Sequence, residues 1–287
     1  MKTIDLHVHS NYSDGTCTPE ELILLAKEKG LVAMALTDHD TVNGILPALD
    51  ALKNTGADLE LIPGTEISTD FEGNEIHMVG LFIDYTDQNF IDTISSFLDR
   101  RIRRNEEMVE NFRKAGIPMT IEALQGGNSD TVITRAHFAR YLVENGIVKD
   151  AKTAFSDKYL GENSPFYVKR VRMNAKDAIS LIKKAGGIAI LAHPMHYKMK
   201  EKKLRAMLAE LKDAGLTGME TRYSNHSEQE NIFTSRLAKE YGLLPSGGSD
   251  FHGKNKPLID LGTGRGNLCV PYEFLEHLKA HLNAGTV

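Results

Sequence analysis

Short apolar runs alternate with helical patterns along most of the 287-residue chain, and this alternation constrains the fold more than any other feature. Residues 4–9 alternate with a period of two, which is typical of a strand. Thr18 and Pro19, followed by two glutamates, predict the start of a helix, and Gly30 predicts its end. Because strands that alternate with helices pair in parallel through crossovers, the pattern predicts an α/β fold.

The same alternation predicts further strands on both sides of a long helical segment. The predicted strands span residues 31–37, 59–62, 76–83, 188–192, 218–221 and 243–246. Roughly seven βα units of this kind suit a barrel-like closure, in which active sites gather at the carboxyl ends of the strands.

The rhythm changes over residues 88–159, which contain almost no strand signal. Apolar side chains recur there at helical spacing from Phe90 to Phe112 and again over residues 133–144. The sequence therefore predicts a discontinuous barrel domain and a helical insertion, or lid. Their boundaries are residues 1–87 and 165–287 for the barrel and residues 88–164 for the insertion.

Charge and composition exclude several classes of protein. The chain has 34 Lys+Arg and 39 Asp+Glu, a formal net charge of −5, which argues against a partner of long duplex nucleic acid and against a polybasic membrane anchor. No apolar run approaches the roughly 20 residues of a membrane span, and no secretory signal begins the sequence. Cys17 and Cys269 lie far apart, as expected in a reducing compartment. We therefore predict a soluble, cytoplasmic protein.

The 11 histidines are the unusual part of the composition, because most of them lie at or near the ends of predicted strands. The imidazole and carboxylate groups at these positions belong to His7, His9, Asp14, His39, Glu66, His77, His193, Asp250 and His252. Each residue alone could be a hydrogen-bonded core histidine or a capping aspartate. Together at one rim of a barrel they would repel one another and lose solvation, and bound metal cations resolve both problems.

The types of ligand narrow the choice of metal. Mixed imidazole and carboxylate ligands suit Zn, Mn or Fe, and the lack of paired cysteines excludes a thiolate zinc site. Nine ligands are too many for one ion that keeps an open position. We therefore expect two or three ions, bridged by a carboxylate such as Glu66 or Asp250, and the sequence leaves the native metal open.

The motifs that carry these residues follow one another along nearly the whole chain. They are Asp5-Leu6-His7-Val8-His9-Ser10, Ser13-Asp14-Gly15, Leu36-Thr37-Asp38-His39-Asp40, Pro63-Gly64-Thr65-Glu66, His193-Pro194 and Gly248-Ser249-Asp250-Phe251-His252. This set resembles the polymerase-and-histidinol-phosphatase (PHP) superfamily. The resemblance implies a distorted (β/α)7 barrel with a site for two or three metal ions.

The resemblance also implies how the ligands are shared. One ion would be held by His7, His9, Glu66 and Asp250, a second by Glu66, His77 and His193, and a third by Asp14, His39 and His252. No ligand position of the family pattern is substituted, so the resemblance implies an active member.

The insertion resembles a narrower group, the YciV/TrpH-type metal-dependent phosphoesterases, in residues 133–142 and 158–161. That resemblance implies a small phosphorylated nucleotide or a short oligonucleotide as the substrate. Its members remove the 3′-phosphate of 3′,5′-nucleoside bisphosphates, hydrolyse AMP-like monoesters or trim short RNA from the 5′ end. His196 stands where some members carry arginine, which bears on the choice of substrate.

The metal site predicts hydrolysis of a phosphate ester. Metal ions held by these residues would lower the pKa of a bound water toward neutrality, which would make it a nucleophile for in-line attack on phosphorus. Asp250 and His226 are the predicted catalytic residues, with His226 able to protonate the leaving oxygen. A helix-entry histidine is the ordinary interpretation of His226.

Arg135 is the leading candidate for a phosphate clamp, because a guanidinium group binds phosphate through two parallel hydrogen bonds. Lys158 and His196 are further candidates for binding substrate. A solvated helix face is the ordinary interpretation of Arg135 and Lys158. The basic run over residues 100–104 is likewise predicted to be mostly solvated and paired with Glu106, Glu107 and Glu110.

Two other functions fit parts of the pattern. Histidinol-phosphate phosphatase is the alternative enzyme, and the inserted residues 134–138 argue against it. A non-catalytic, metal-stabilised PHP module attached to a larger machine is the alternative of another class, and the complete ligand set argues against that.

Overall fold

The computed structural model of the chain describes residues 2–284. Its strands are β1 (Ile4–Val8), β2 (Ala33–Leu36), β3 (Glu60–Phe71), β4 (Asn74–Leu81), β5 (Met173–Asn174), β6 (Ile188–Leu191), β7 (Gly218–Tyr223) and β8 (Leu244–Gly248). Its α-helices are α1 (Pro19–Glu28), α2 (Ile45–Thr55), α3 (Gln88–Lys114), α4 (Ile121–Gln125), α5 (Arg135–Glu144), α6 (Ala151–Ala154), α7 (Ala175–Lys184), α8 (Glu201–Asp213), α9 (Glu228–Glu240) and α10 (Tyr272–Ala284). Short 3-10 helices span Pro194–Tyr197 and Gly253–Asn255.

The sheet forms a nearly closed barrel. Its strands are hydrogen-bonded in the order β1-β2-β3-β4-β6-β7-β8, and β5 pairs with β3. The last strand returns to the first, since the Asp250 amide donates to the His7 carbonyl at 2.9 Å and the His9 amide donates to Phe251 at 3.1 Å. A Cβ at Gly248 would lie 2.5 Å from the His7 nitrogen, so glycine is needed where β8 approaches β1. The predicted α/β class and distorted barrel are confirmed.

The pairing of β4 departs from the sequence prediction. Strand β4 is antiparallel to both β3 and β6, whereas the other neighbours along the barrel are parallel. The prediction of parallel pairing is wrong here because Glu72 and Gly73, both at positive φ, form a two-residue hairpin that leaves no room for a crossover helix. The same hairpin extends β3 to Phe71, so Glu66 lies within the strand and not at its end.

The parallel strands are buried on both faces. In β2, Ala33 and Ala35 point to one face and belong to a hydrophobic cluster that includes side chains of α10. Met34 and Leu36 point to the other face and belong to a hydrophobic cluster that includes side chains of α1 and α2. All four side chains are buried, as expected for a strand covered on each side. The barrel thus holds the ends of its strands on a rigid frame.

The helical insertion has a core of its own, and α3 connects that core to the barrel. Phe90 and Ile94, near the start of α3, belong to a hydrophobic cluster that is formed mainly by side chains of the barrel. Met108 and Phe112, near its end, pack with Phe138 of α5 in the insertion cluster. The continuous helix therefore holds the insertion at a fixed position over the barrel rim.

The prediction that the basic run over residues 100–104 is mostly solvated is wrong for two of its arginines, which lie on the inner face of α3. Arg101 and Arg104 are only 4% and 7% exposed, and Arg101 forms an ion pair with Asp40 of the barrel. The helix places residues 101, 104 and 108 on one face, and this face packs on the barrel rim.

Among the helices of residues 2–284, none combines the length and apolarity needed to cross a bilayer.

Candidate metal centre

The first group of candidate ligands joins β1 to β3 and β8. His7 and His9 are two residues apart on β1 and its extension, so they point to the same face. The Nε2 atoms of both lie 3.2 Å from Glu66 Oε2, and His9 Nε2 lies 3.4 Å from Asp250 Oδ1. The four residues each offer one ligand atom within 4.8 Å of the others, which matches the first predicted ligand set.

The second group surrounds Asp14, in the loop after β1. His252 Nε2 lies 3.0 Å from Asp14 Oδ1, and His39 Nε2 lies 3.8 Å from Asp14 Oδ2. His9 joins this group through a distance of 3.7 Å from its Nδ1 to Asp14 Oδ1. The structure therefore brings together the predicted set of Asp14, His39 and His252 and adds His9 to it.

The third group joins His39 and His77 to Glu66. His39 Nδ1 is 3.2 Å from Glu66 Oε2, and His77 Nδ1 is 2.8 Å from Glu66 Oε1. His193 Nε2 lies 2.9 Å from the same Oε1 atom, with its ring centroid 5.1 Å from that of His77. Five of the predicted ligands, His7, His9, His39, His77 and His193, thus surround the Glu66 carboxylate.

The protonation states favour metal ligands. Burial alone would raise the pKa of Glu66, but the imidazoles of His39, His7 and His77 hold it well below its usual range. Burial would likewise raise the pKa of Asp14 and Asp250, but His252 beside Asp14 and the Lys256 ammonium beside Asp250 hold both pKa values well below the usual range. All three carboxylates are therefore ionised, as oxygen ligands of a metal ion must be.

Unsatisfied atoms at the centre provide a direct test of whether metal ions fit. Within residues 2–284, several buried ring nitrogens and one carboxylate oxygen have no hydrogen-bond partner: His7 Nε2, His9 Nε2, His39 Nδ1, His193 Nδ1 and Asp14 Oδ1. Such atoms cost stability unless something binds them. Nitrogen and oxygen donors of this kind fit Zn, Mn or Fe, so the residues present are suited to metal ions.

Glu220 accepts hydrogen bonds that orient two of the candidate ligands. His7 Nδ1 donates to Glu220 Oε1 at 2.9 Å, and the His193 amide donates to Glu220 Oε2 at 2.6 Å. This contact leaves His7 Nε2 free to face the centre, which is how outer-shell carboxylates commonly fix a ligating histidine. Sequence reasoning missed Glu220, although a carboxylate within the short apolar strand β7 was a usable signal.

Backbone strain is concentrated at the same rim. Asp40, His193 and Asp250 adopt φ angles of 52°, 28° and 56°, a region that residues other than glycine rarely occupy. Strain of this kind is kept where the surroundings fix a residue for function. Here it aims the His193 and Asp250 side chains into the centre.

A cavity of about 110 Å³ opens over Asp250 and Glu66. Lys256 and Tyr223 line it, and both bind Asp250 Oδ2, at 2.6 Å and 2.7 Å. His196 also lines it, and burial together with His193 lowers the His196 pKa to about 4, so the ring is neutral. Lys256 was missed by sequence reasoning because nothing in its loop distinguishes it from a solvated lysine.

His226 lies beside this cavity and not in its wall. The side chain is buried, its ring centroid is 5.3 Å from that of Tyr223, and burial lowers its pKa. Neither ring nitrogen has a hydrogen-bond partner within the described part of the chain. The structure therefore separates His226 from the nine ligands by the Tyr223 ring, and its catalytic role stays a prediction.

A second cavity, about 190 Å³ in volume, adjoins the candidate metal ligands Asp14, His39 and His77. Five arginines line it: Arg101, Arg104, Arg135, Arg170 and Arg172. We call it the arginine pocket. The predicted clamp Arg135 is among them, whereas Lys158 lies outside it, exposed, with its ammonium 5.3 Å from the Tyr159 ring centroid.

The arginine pocket has more positive than negative groups. Arg101 and Arg170 share Asp40, while Arg135 and Arg172 bind Glu75 Oε2 at 3.1 Å and 2.6 Å. With Asp14, which also lines the pocket, three carboxylates thus accompany five guanidinium groups. Burial and the neighbouring guanidinium groups lower the pKa of Arg104 to about 9 and that of Arg170 to about 10. Such a pocket is suited to binding an anion.

Unsatisfied donors point to the same conclusion. Among the described residues, the buried Nε–H groups of Arg101, Arg170 and Arg172 have no hydrogen-bond acceptor. A phosphate group offers three acceptor oxygens and negative charge, which would satisfy them.

The sequence profile of the PHP domain matches residues 5–162. The chain belongs to the PHP domain family. The predicted family is therefore confirmed.

Relatives of this PHP protein include enzymes that act on nucleotides. A 5′-3′ exoribonuclease of Haemophilus influenzae is 40% identical over 267 residues, covering 90% of this chain and 96% of that protein. A 3′,5′-nucleoside bisphosphate phosphatase of Chromobacterium violaceum is 35% identical over 263 residues, covering 91% of each. A solved structure described as an amidohydrolase from Chromobacterium violaceum, with bound sulfate and no metal, superposes with a TM-score of 0.84 at 33% identity, covering 97% of this chain and 96% of that one.

These comparisons confirm the predicted enzyme class, a phosphoric ester hydrolase of the PHP type. They agree with the geometry, since the clusters of His, Asp and Glu side chains at the rim can hold metal ions. The assignment of each residue to an individual ion stays a prediction.

One histidine of the PHP insertion gives the stability a dependence on pH. Burial lowers the pKa of His137 from 6.5 to about 4, and its Nδ1 accepts a hydrogen bond from the Thr134 amide at 3.0 Å. Between these two pH values the unfolded chain binds more protons, so the free energy of unfolding falls as the pH drops. We expect His137→Asn to remove a loss of about 3 kcal/mol between pH 7 and pH 4.

Urea unfolding of both proteins at several pH values measures this loss. His277→Asn, at an exposed position of α10, is the control. A constant difference between wild type and His137→Asn across the pH range would contradict a neutral, buried imidazole.

Proposed function

We propose that this phosphoesterase hydrolyses a phosphate ester of a small nucleotide, such as a 3′,5′-nucleoside bisphosphate or an AMP-like monoester, or of a short oligoribonucleotide. The observation that carries the proposal is the arginine pocket beside the metal ligands. Two adjoining sites for anionic groups suit a substrate with two phosphates on one nucleoside or along one strand. The enzymes named in the comparisons act on such molecules, which supports the choice.

The chemistry proposed for the metal centre needs two or three ions of Mn, Zn or Fe. Bound ions of this kind supply Lewis acidity and a water of lowered pKa. The chain itself contributes the ionised carboxylates of Asp14, Glu66 and Asp250, whose negative charge would balance the positive charge of the ions. Lys256 lies beside Asp250 and can neutralise a phosphoryl oxygen. Asp250 and His226 remain our proposed catalytic residues.

We propose that the insertion, residues 88–164, acts as a lid that sets the size of the substrate. Thr134, at the start of α5, donates to Asp14 Oδ2 at 2.9 Å, and Arg101 and Arg104 of α3 line the arginine pocket. The insertion therefore supplies groups that contact both the centre and the pocket. A cytoplasmic location and a preference against long duplex nucleic acid accompany this proposal as predictions.

The alternative substrate, histidinol phosphate, suits the site less well. That molecule carries one phosphate and a cationic amine, so it would leave the arginine pocket without a matching anion. Turnover of histidinol phosphate and of adenosine 3′,5′-bisphosphate, measured side by side, separates the two proposals.

Removal of one pocket arginine tests the role of the second phosphate. Arg135 is the most accessible choice, with a side chain 32% exposed, so its loss should leave the fold intact. We expect Arg135→Ala to raise the KM for adenosine 3′,5′-bisphosphate by about 10-fold or more, since charge-assisted hydrogen bonds contribute about 1.5–3 kcal/mol each. The KM for adenosine 3′-monophosphate should change much less.

The matched control is Arg103→Ala, an exposed arginine on α3 outside the pocket. Steady-state kinetics with both substrates distinguish the outcomes. Equal losses for the bisphosphate and the monophosphate would show that Arg135 does not bind a second phosphate.

A further inference from the structure

A third cavity, about 740 Å³ in volume, lies between the barrel and the insertion, and we call it the interdomain cleft. The arginine pocket and the interdomain cleft share two lining residues, Ala136 and Phe155. They are therefore neighbouring compartments that meet at these two side chains.

The Phe155 ring is unusual at this junction, because 45% of the side chain is exposed to solvent. Its amide caps α6 by donating to the Ala151 carbonyl at 3.0 Å, which fixes the backbone from which the ring projects. Because Phe155 lines both compartments, its exposed aromatic face is available to contact a ligand that occupies either of them. A flat, neutral and aromatic ligand is the chemistry that such a face binds best.

Hydrogen bonds from both walls of the interdomain cleft hold its polar side chains in place. Thr131 Oγ1 and Asn128 Nδ2, from the insertion, donate to the Asn11 carbonyl at 2.6 Å and 3.1 Å. Asn255, on the barrel side, donates to the carbonyl of the metal ligand Asp14 at 2.7 Å. The cleft is therefore part of the same rigid frame as the metal centre.

Two side chains that line the cleft, Asn11 and His137, carry hydrogen-bonding groups. The Oδ1 atom of Asn11 is buried without a partner among the described residues, and Asn11 lines the cleft. His137 lines it too, and because its Nδ1 accepts from the Thr134 amide, the hydrogen of the neutral ring lies on Nε2. A volume of 740 Å³ lies within the usual range for a ligand site and accommodates a nucleoside.

We propose that Phe155 stacks on a nucleobase of the substrate, with the nucleoside seated in the interdomain cleft and a phosphate in the arginine pocket. This inference rests on the proposed nucleotide substrate and adds the base to what the enzyme recognises. Every base can stack on an aromatic ring, so the site would bind a nucleobase without selecting among the different bases.

Kinetics with and without a base test the proposal. The substrates are adenosine 3′,5′-bisphosphate and an abasic ribose 3,5-bisphosphate that carries the same two phosphates. We expect Phe155→Ala to raise the KM for the adenosine compound by about 10-fold, the effect of losing one stacked base, and to leave kcat and the abasic KM nearly unchanged. Phe155→Tyr should restore the wild-type KM. Ile232→Ala, which removes a 63% exposed side chain on α9, is the control.

Fluorescence provides a second readout that does not depend on turnover. The chain contains no tryptophan, so Phe155→Trp introduces a single fluorophore at the proposed platform. We expect saturable quenching by AMP and none by ribose 5-phosphate, with no quenching of an Ile232→Trp control. Quenching by both ligands alike would overturn the proposal.

The outcomes separate this inference from the proposed function. If the wild-type enzyme hydrolyses neither bisphosphate, the proposed nucleotide substrate is wrong, and the stacking proposal is wrong with it. If it hydrolyses both and Phe155→Ala weakens them equally or not at all, the proposed function stands and the stacking platform is refuted.

Discussion

Glu66→Gln is expected to lower turnover of the bisphosphate substrate by at least about 10³-fold. The reason is the position of this carboxylate, which lies within 3.2 Å of a ring nitrogen of His7, His9, His39, His77 and His193. Glutamine keeps the size of the side chain but removes the negative charge and one acceptor oxygen. The metal content per chain should fall together with the rate.

The matched control for this variant is Glu72→Gln, which changes an exposed glutamate on the β3–β4 turn of the same hairpin. Metal analysis of the purified proteins, alongside initial rates, tests the expectation. A Glu66→Gln enzyme with near wild-type turnover would show that the convergence of ligands on Glu66 has no catalytic meaning.

Removal of the metal ions should lower the melting temperature by about 5 °C or more. Ions that bind only the folded chain stabilise it by about 2.7 kcal/mol when present at 100 times their Kd. For a protein of this size, each 1 kcal/mol corresponds to about 2 °C. The unsatisfied buried atoms of His7, His9 and Asp14 provide the structural reason, since they lose their partners when the ions leave.

Calorimetry before and after exhaustive chelation measures this effect, and restoring one metal at a time identifies the ion that stabilises best. The Asp250→Asn variant should show a smaller shift, because it lacks one of the ligands of the first group. An unchanged melting temperature on chelation would contradict a structural contribution from bound metal.

Much of the barrel could be predicted from the sequence because its strands carry strong local signals. The alternation in β1 and the capped start of α1 at Thr18 depend only on neighbouring residues, and both are observed. The direction of β4 was not predicted correctly. It depends on a two-residue turn at Glu72 and Gly73 that the regular alternation of strands and helices concealed.

The candidate ligands could be identified because imidazoles and carboxylates recur at equivalent places in successive βα units. The arginine pocket could not be identified in the same way, since its members come from α3, α5 and the segment before β5. Arg101 and Arg104 belong to a run that looks solvated until the packing of α3 on the barrel is known. The role of Glu220 likewise depends on a long-range contact to His7, and that of Lys256 depends on how its loop folds back onto Asp250.

The most direct test of the central claim is phosphate release from adenosine 3′,5′-bisphosphate, measured with the metal content of the same protein sample. We expect release by protein that carries two or three ions per chain, loss of activity on chelation and recovery when Mn, Zn or Fe is restored. Full activity after all bound metal has been removed would contradict a metal-dependent phosphoesterase.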